Sequence, residues 1–156
     1  MFNIMSAISK PISWRNSENL IHQNEGIKTW LDDRHRLHRV DGPASINQYG
    51  DKFWYLHGER HRTDGPAVEL VNGYKAWYQC DKLHRMDGPA VMFNGTKLNG
   101  YGFWYRIWYL HGLKHCASGP AYENKYGQYQ YWFHGVQVSK EEFYSPEFQV
   151  RMVMEQ

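Results

Sequence analysis

The sequence predicts a mainly β protein, an elongated antiparallel sheet or solenoid of stacked β-hairpin repeats that ends in a short helical cap. Three observations predict this fold class. A four-residue motif recurs along the chain, aromatic residues make up 17% of the sequence, and glycine-containing turns separate short runs of strand-forming residues. Self-similarity at a fixed short period is typical of repeat architectures, and aromatic residues favour a pleated surface.

The recurring motif is Asp-Gly-Pro-Ala, which begins at Asp41, Asp64 and Asp87 and returns as Ser-Gly-Pro-Ala at Ser118. The spacings between copies are 23, 23 and 31 residues. A His-Arg pair precedes the three complete copies, and a Trp-Tyr pair begins ten residues before each of the last three copies. This regularity predicts one structural unit of 23 residues, repeated over 26–138.

Each unit is predicted to contain about two strands and two turns. The stretch WYLHGERH at 54–61 indicates a strand, a turn at His57-Gly58 and a returning strand, because Gly adopts positive φ without steric cost. Asn72-Gly73 is a strong hairpin signal in the same unit. Strands paired at about 4.8 Å would stack such units into a twisted, quasi-one-dimensional sheet.

The motif histidines and aspartates are predicted to be structural corner residues between hairpins. An Asp at a turn can accept hydrogen bonds from backbone N–H groups and from a ring or guanidinium. The fourth copy supports this interpretation, because it loses Arg and Asp together and retains Gly-Pro-Ala. A catalytic group would need only one copy. The predicted corner residues are His38, Asp41, His61, Asp64, His84 and Asp87.

The sequence predicts no metal site, no cofactor and no catalytic residue. Pairs at i, i+4, such as His57/His61 and Cys80/His84, supply two ligands per unit, whereas a structural zinc site normally has four at about 2.0–2.3 Å. Equivalent residues of the next unit are expected about 9–10 Å away. The sequence contains no Gly-x-Ser-x-Gly elbow, phosphate loop or His-Glu-x-x-His motif, so a non-enzymatic protein is expected.

The interval between the third and fourth motifs is eight residues longer than the others, which indicates an insertion near 94–106. An insertion in a repeat protein usually maps to a loop on one face, often the binding face. Tyr, Trp and Arg, the types enriched in interface hot spots, are concentrated there. The alternative is a longer hairpin whose rings pack on the sheet. The residues predicted to contact a partner are Tyr101, Phe103, Trp104, Tyr105 and Arg106.

Both ends of the repeat array are predicted to be capped, because an open edge strand favours aggregation. Residues 1–25 are assigned as an N-terminal arm or cap, with a worn hairpin that turns at Glu25-Gly26. Residues 139–156 are assigned as a helical cap. Ser139 with a Glu three residues later forms a capping box, and Ser145-Pro146 suits the start of a second helix.

Charge and cysteine content limit the class of protein. The formal net charge of +2 supplies no large positive field for a phosphate backbone. Two cysteines are too few for the disulfide framework of a secreted domain. No window approaches the roughly 18 apolar residues of a membrane helix, and the N-terminus lacks the basic region of a signal peptide. We expect a soluble, cytoplasmic protein with no transmembrane segment.

The tandem pattern W-Y-x-x-G-x-x-H-R-x-D-G-P-A resembles the divergent branch of MORN-type repeats, over about residues 26–143. Copies with HR-x-DGPA are similar to those in proteins of bacteriophages, large DNA viruses and some bacteria. The resemblance implies short β-hairpin repeats that stack into an extended sheet. It also implies scaffolding, protein binding or membrane tethering, and no single reaction. The chain departs from the usual unit in having Asp-Gly-Pro-Ala in place of Gly-x-Gly.

The leading functional hypothesis is a non-enzymatic module that engages a partner protein through its aromatic-rich sheet. The resemblance further suggests a viral or mobile-element accessory protein that acts on a host or defence component. One alternative is binding of a nucleotide or single-stranded nucleic acid, with rings stacked on bases and arginines along the phosphates. Others are self-association through edge strands and an enzyme that uses the repeated His and Asp. The arginine stripe of the nucleic-acid alternative is Arg34, Arg36, Arg39, Arg60, Arg62 and Arg85.

Overall fold

The computed structural model describes residues 20–24, 26–95 and 102–155, in which short β-strands dominate and two helices follow at the C-terminal end. The strands are β1 (Leu20–Asn24), β2 (Ile27–Trp30), β3 (Ser45–Ile46), β4 (Lys52–Phe53), β5 (Tyr55–Leu56), β6 (Glu59–Arg60), β7 (Val68–Glu69), β8 (Tyr74–Ala76), β9 (Tyr78–Gln79), β10 (Lys82–Leu83), β11 (Val91–Asn94), β12 (Trp104–Ile107), β13 (Tyr109–Leu110), β14 (Leu113–Lys114), β15 (Tyr122–Asn124), β16 (Tyr129–Phe133) and β17 (Val136–Val138). The helices are α1 (Lys140–Phe143) and α2 (Pro146–Met154).

Eleven of these strands form one long sheet, in the order β1-β2-β3-β4-β7-β8-β11-β12-β15-β16-β17. Every pairing in it is antiparallel, and its first and last strands do not meet. The remaining six strands form three separate hairpins, β5/β6, β9/β10 and β13/β14, which we call the short hairpins. The predicted fold class, mainly β with a long antiparallel sheet, is confirmed.

Three units contain four short strands each (β4–β7, β8–β11 and β12–β15), not the two that the sequence suggested, whereas the first has an isolated bridge between Leu31 and Leu37 in place of the short hairpin. The stretch around Trp54 is divided between two sheets, with β4 before the tryptophan and β5 after it. The backbone N–H of Trp54 donates to the carbonyl oxygen of Ala67 at 2.8 Å, and its carbonyl accepts from the N–H of His61 at 3.2 Å. The chain therefore leaves the long sheet at each tryptophan, and one aromatic run becomes two strands.

The short hairpins form a second row beside the long sheet. The N–H of Arg62 donates to the carbonyl oxygen of Tyr78 in the next unit at 3.1 Å. The N–H of Asp81 donates back to the carbonyl oxygen of Arg60, also at 3.1 Å. The turn between β5 and β6 has positive φ at His57 (52°) and Gly58 (89°), as a two-residue type I′ hairpin requires. Backbone hydrogen bonds thus join the units in both rows.

The core between the two rows is narrow and built from rings and small residues. Val68, Ala76 and Val91 are buried at its centre, and rings from both rows, including Phe53 and Tyr109, pack against them. The alanine that closes each motif has no exposed surface at any of its four positions. These alanines are Ala44, Ala67, Ala90 and Ala121. Because no space remains around them, the motif requires a small residue there.

The C-terminal helices begin where the sequence predicts. Ser139 is the N-cap of α1, with its Oγ accepting the N–H of Glu142 at 3.0 Å, and Ser145 is the N-cap of α2, with Pro146 in the first turn. Phe143 and Phe148 join a buried cluster that contains rings of β16. The helices therefore bury apolar side chains against the last hairpin. Neither helix is long or apolar enough to cross a membrane, and the described residues contain no other candidate.

At the N-terminal end, β1 pairs antiparallel with β2. Gly26 has a φ of +82° at the turn between them, so the hairpin predicted there is confirmed, although Glu25 itself lies outside the described residues. The strand β1 begins at Leu20, inside the segment that the sequence assigned to an arm or cap. The rest of that assignment, residues 1–19, also lies outside the described residues.

Candidate functional site

The arginine of each complete motif lies between a tryptophan ring and a glycine. In the second unit, the Arg62 guanidinium carbon lies 4.1 Å from the centroid of the Trp54 ring, and its Nε donates to Asp64 at 2.8 Å. A Cβ added to Gly65 would lie only 2.8 Å from the same guanidinium carbon. The corresponding sets are Arg39, Trp30, Asp41 and Gly42, and Arg85, Trp77, Asp87 and Gly88.

This arrangement explains the residue types of the motif. The glycine leaves room for the guanidinium, the aspartate holds it through a charge-assisted hydrogen bond, and the tryptophan attracts it as a cation–π partner. The hydrogen bond from Arg39 and the arginine's charge hold the pKa of Asp41 below its usual range, against the effect of partial burial. The predicted corner aspartates therefore lie in ion pairs with the arginine of the same motif, which is the central group of the corner.

The motif histidines join one unit to the next. Nδ1 of His84 accepts the backbone N–H of His111 at 3.2 Å, and the two rings lie 4.4 Å apart between centroids. Sequence spacing instead placed Cys80 and His84 as an i, i+4 pair within one hairpin. Cys80 contacts His61 of the preceding unit, with its Sγ 3.6 Å from Nδ1. The described residues contain no group of three or more His, Cys, Asp or Glu that could hold a metal ion.

The arginine stripe of the nucleic-acid hypothesis is largely neutralised by ion pairs. Five of its six members have a carboxylate oxygen within 2.9 Å. Arg60, for example, donates from Nε to Asp81 at 2.7 Å and covers the ring of Tyr78 at 4.0 Å. Charges paired in this way contribute little field at the distance of an approaching phosphate backbone. The paired arginines are Arg36, Arg39, Arg60, Arg62 and Arg85.

A groove of about 560 Å³ lies between the first two corners, with Trp54, His61 and both corner ion pairs among its lining. Its two arginines and two aspartates already pair with each other. Because these side chains are already paired, the groove is the space that remains between two successive corners. A ligand there would have to compete with these pairs for the same hydrogen bonds.

A smaller cleft of about 220 Å³ lies beside the insertion, over the interior strands β8, β11 and β12 of the long sheet, and is lined mainly by rings. The rings of Phe93 and Tyr105, paired across β11 and β12, are stacked with their centroids 5.5 Å apart. Phe103 lies 5.9 Å from Tyr105 and 5.7 Å from Tyr126, measured between centroids. We call this surface the aromatic cleft; its lining is Leu70, Asn72, Tyr74, Phe93 and Tyr105, and its rim is Phe103 and Tyr126.

The aromatic cleft carries no formal charge at neutral pH. Burial, and then the neighbouring Tyr78 and Tyr105, raise the pKa of Tyr74 to about 12, and burial raises the pKa of Tyr105 as well. The hydroxyl groups therefore stay protonated and can donate hydrogen bonds. The cleft combines apolar walls with a few neutral donors and acceptors, which is the usual composition of a site for an uncharged ligand segment.

The five residues predicted to contact a partner do not share one face. Phe103 and Tyr105 lie on the cleft side, whereas Trp104 and Arg106 alternate to the opposite side of β12. Arg106 there pairs with Glu123 at 3.0 Å, and its guanidinium lies 5.2 Å from the Trp104 ring centroid. Tyr101 lies outside the described residues. The insertion therefore lengthens a hairpin, as the alternative hypothesis held, and also contributes Phe103 to the cleft.

The face of the long sheet opposite the cleft carries two groups of oppositely charged residues that pair across neighbouring strands. Lys52 pairs with Glu69, which pairs with Lys75, and Arg106 pairs with Glu123; Met92 separates the two groups. Opposite charges on neighbouring strands support pairing in water. Tyr74, Phe93 and Tyr126 were not predicted from the sequence to be members of a site. Strand periodicity could have suggested Tyr74 and Phe93, but only the fold brings the Tyr126 turn beside Phe103.

Comparison with protein families, curated proteins and solved structures finds no family model, relative or structure that matches this chain.

Proposed function

We propose that the chain is a non-enzymatic repeat module that binds a partner protein through the aromatic cleft. The observation that carries the proposal is the group of rings beside the long sheet, where Phe93, Phe103 and Tyr105 are mutual neighbours and Tyr126 contacts Phe103 at the rim of an open cleft. The resemblance to MORN-type repeats, with their scaffolding and protein-binding roles, supports the same proposal. It also underlies our suggestion of a viral or mobile-element accessory protein.

The chemistry of the cleft favours a protein segment with apolar side chains and free backbone hydrogen-bonding groups. Tyr126 keeps 71% of its surface exposed at the rim, and exposed rings gain most when a partner removes them from water. Tyrosine is enriched in interface hot spots, because it adds a large rigid contact area at low entropic cost. Asn72 and the protonated tyrosine hydroxyls can pair with backbone groups of such a segment.

The experiment that tests the proposal is affinity capture from a lysate with the wild type, one variant of the cleft and two control variants. The first variant carries Phe103→Ala and Tyr126→Ala, at the rim of the cleft. The control carries Tyr49→Ala, because Tyr49 is also highly exposed at a hairpin turn but has none of the ring contacts of the cleft. A second control, Trp104→Ala with Arg106→Ala, changes the opposite face of the same strand.

We expect one protein to be captured in stoichiometric amount by the wild type and both controls, and to be lost from the rim variant. Direct titration with that protein should then show affinity about tenfold or more weaker for the rim variant. Equal capture by all variants would exclude the cleft. Loss only from the Trp104/Arg106 variant would place the contact on the opposite face. Elution of nucleic acid that is displaced by salt would favour the nucleic-acid hypothesis instead.

A further inference from the structure

The joints between units share a histidine contact that the proposed binding surface does not use. At each of four joints, Nδ1 of the motif histidine accepts the backbone N–H of a turn residue in the next unit, at distances of 3.1 to 3.3 Å. We call these four contacts the histidine ladder; the accepting residues are His38, His61, His84 and His115. A nitrogen that accepts a hydrogen bond cannot carry a proton, so each ring is neutral with its proton on Nε2.

At three of the four joints the turn residue is also a histidine, and the two rings are close. The centroids are 4.2 Å apart for His38 and His57 and 4.4 Å apart for His84 and His111. The third pair, formed by His115, has a separation of 4.5 Å. Protonation of both rings would place two positive charges at this distance. Acid would therefore remove a hydrogen-bond acceptor and add repulsion at the same contact.

We propose that the histidine ladder is a proton-operated switch, in which weak acid breaks the equivalent contacts at several joints together and loosens the stack of units. The contact repeats with the units, so its effect accumulates along the array. Stability in repeat proteins depends largely on interfaces between neighbouring units. A small loss at every joint is therefore more damaging than the same loss at one site.

The charged and titratable groups that face each motif histidine determine how strongly protonation weakens each joint. His38 faces His57, Asp32 and Arg36, and Asp32 lies 3.1 Å from Nδ1 of His57. Burial would raise the pKa of Asp32, but hydrogen bonds from Arg36, His57 and nearby backbone hold it well below its usual range. This carboxylate stays ionised in weak acid and opposes the repulsion between the first pair of rings.

The other three joints have no such carboxylate in the contacts described. His61 faces the thiol of Cys80, and His115 faces the ring of Phe133 as well as its partner histidine. His84 faces His111 and retains only 6% of its surface exposed. The His84 joint is therefore the most direct place to test the switch.

The direction of the pH effect follows from the folded state. Burial, and then the partner histidine, lower the pKa of His38, His84 and His115 below the ordinary value of 6.5. The unfolded chain therefore takes up protons before the folded chain does. The contribution to stability is fully present above pH 6.5 and is lost as the pH falls below that value. Each such histidine lowers the folding equilibrium constant by up to about tenfold per pH unit in this window.

The test is urea denaturation of the full chain from pH 8 to pH 5, for the wild type and two variants. In His84→Asn, the side-chain oxygen can accept the same N–H but cannot be protonated in this range. Below pH 6.5, we expect the folding equilibrium constant of this variant to fall less steeply than that of the wild type. The difference between the two should be up to about tenfold per pH unit. The control is His35→Asn, because His35 is exposed and its φ of 58° suits Asn. This control should follow the wild-type profile.

Parallel pH profiles for the wild type and His84→Asn would overturn the proposal. A second measurement does not depend on any variant folding. Nitrogen-15 NMR of the histidine rings at pH 7.5 should show neutral rings protonated at Nε2 for the four ladder histidines. Rings protonated at Nδ1, or already charged at this pH, would also overturn it.

Discussion

The second corner and the fourth corner have the same backbone but different side chains. In both, the tryptophan N–H donates to the motif alanine at 2.8 Å, and the histidine N–H donates back to the tryptophan carbonyl at 3.1 to 3.2 Å. Only the second has the ion pair between Arg62 and Asp64. In the fourth, Cys116 occupies the arginine position, is buried, and lies 3.6 Å from Ser118 through its Sγ.

This difference separates two functions within one motif. The alanine and the backbone hydrogen bonds form the corner, because they persist without the ion pair. The arginine, the aspartate and the need for glycine belong together: a Cβ on Gly65 would meet the guanidinium at 2.8 Å, whereas a Cβ on Gly119 would meet nothing within 4 Å. Substitution of the motif alanine should therefore destabilise the two corners equally. Substitution of the motif glycine should affect the two corners unequally.

The largest effect should come from enlarging the motif alanine. Ala67→Val and Ala121→Val should each lower the free energy of unfolding by about 1–3 kcal/mol, because both alanines are fully buried and the added methyl groups have no space. Urea denaturation monitored by tryptophan fluorescence measures the change. Thr63→Val, at an exposed position of the second corner, should stay within about 0.5 kcal/mol of the wild type. A lower free energy of unfolding for only one of the two alanine variants would show that the two corners pack differently.

A smaller and unequal effect is expected at the glycines. Gly65→Ala should lower the free energy of unfolding by about 1 kcal/mol, since the new methyl group displaces Arg62 from the Trp54 ring. Gly119→Ala should be neutral or stabilise the protein by up to about 1 kcal/mol, because the substitution reduces the entropy of the unfolded chain. The same denaturation experiment compares them.

A double-mutant cycle sharpens this prediction. In an Arg62→Ala background, Gly65→Ala should cost much less than it does alone, because the guanidinium that the methyl group would meet is absent. Equal costs with and without Arg62 would show that the glycine is required for its backbone conformation and not for the stacked arginine.

The smallest destabilisation is expected for Asp64→Ala, whose side chain is 80% exposed. We expect Asp64→Ala to lower the melting temperature, but by less than Arg62→Ala does. Binding by the folded protein should be unchanged. The hydrogen bond and charge of Arg62 lower the pKa of Asp64, so its contribution is present at neutral pH and is lost as the pH falls below the ordinary value of 3.8. An unchanged melting temperature at pH 7 would show that Asp64 does not stabilise the corner.

Much of the local structure could be predicted because it depends on neighbouring residues. The turn at His57-Gly58 and the N-caps Ser139 and Ser145 are each specified by a few adjacent residues with strong conformational preferences. The two-row arrangement was not predicted. Strand-forming residues on both sides of Trp54 have the same composition, so their pattern does not show where the chain crosses from one sheet to the other.

The sequence by itself determined the repeat period, the mainly β class, the principal turns and the starts of the two helices, since these depend on short-range preferences and on repetition. The tertiary structure decided which side chains meet across units. His84 reaches His111 rather than Cys80, and Phe103 reaches Tyr126. Such contacts join residues about 20 or more positions apart in the chain, and their geometry is set by strand register and stacking, which no single stretch of sequence contains.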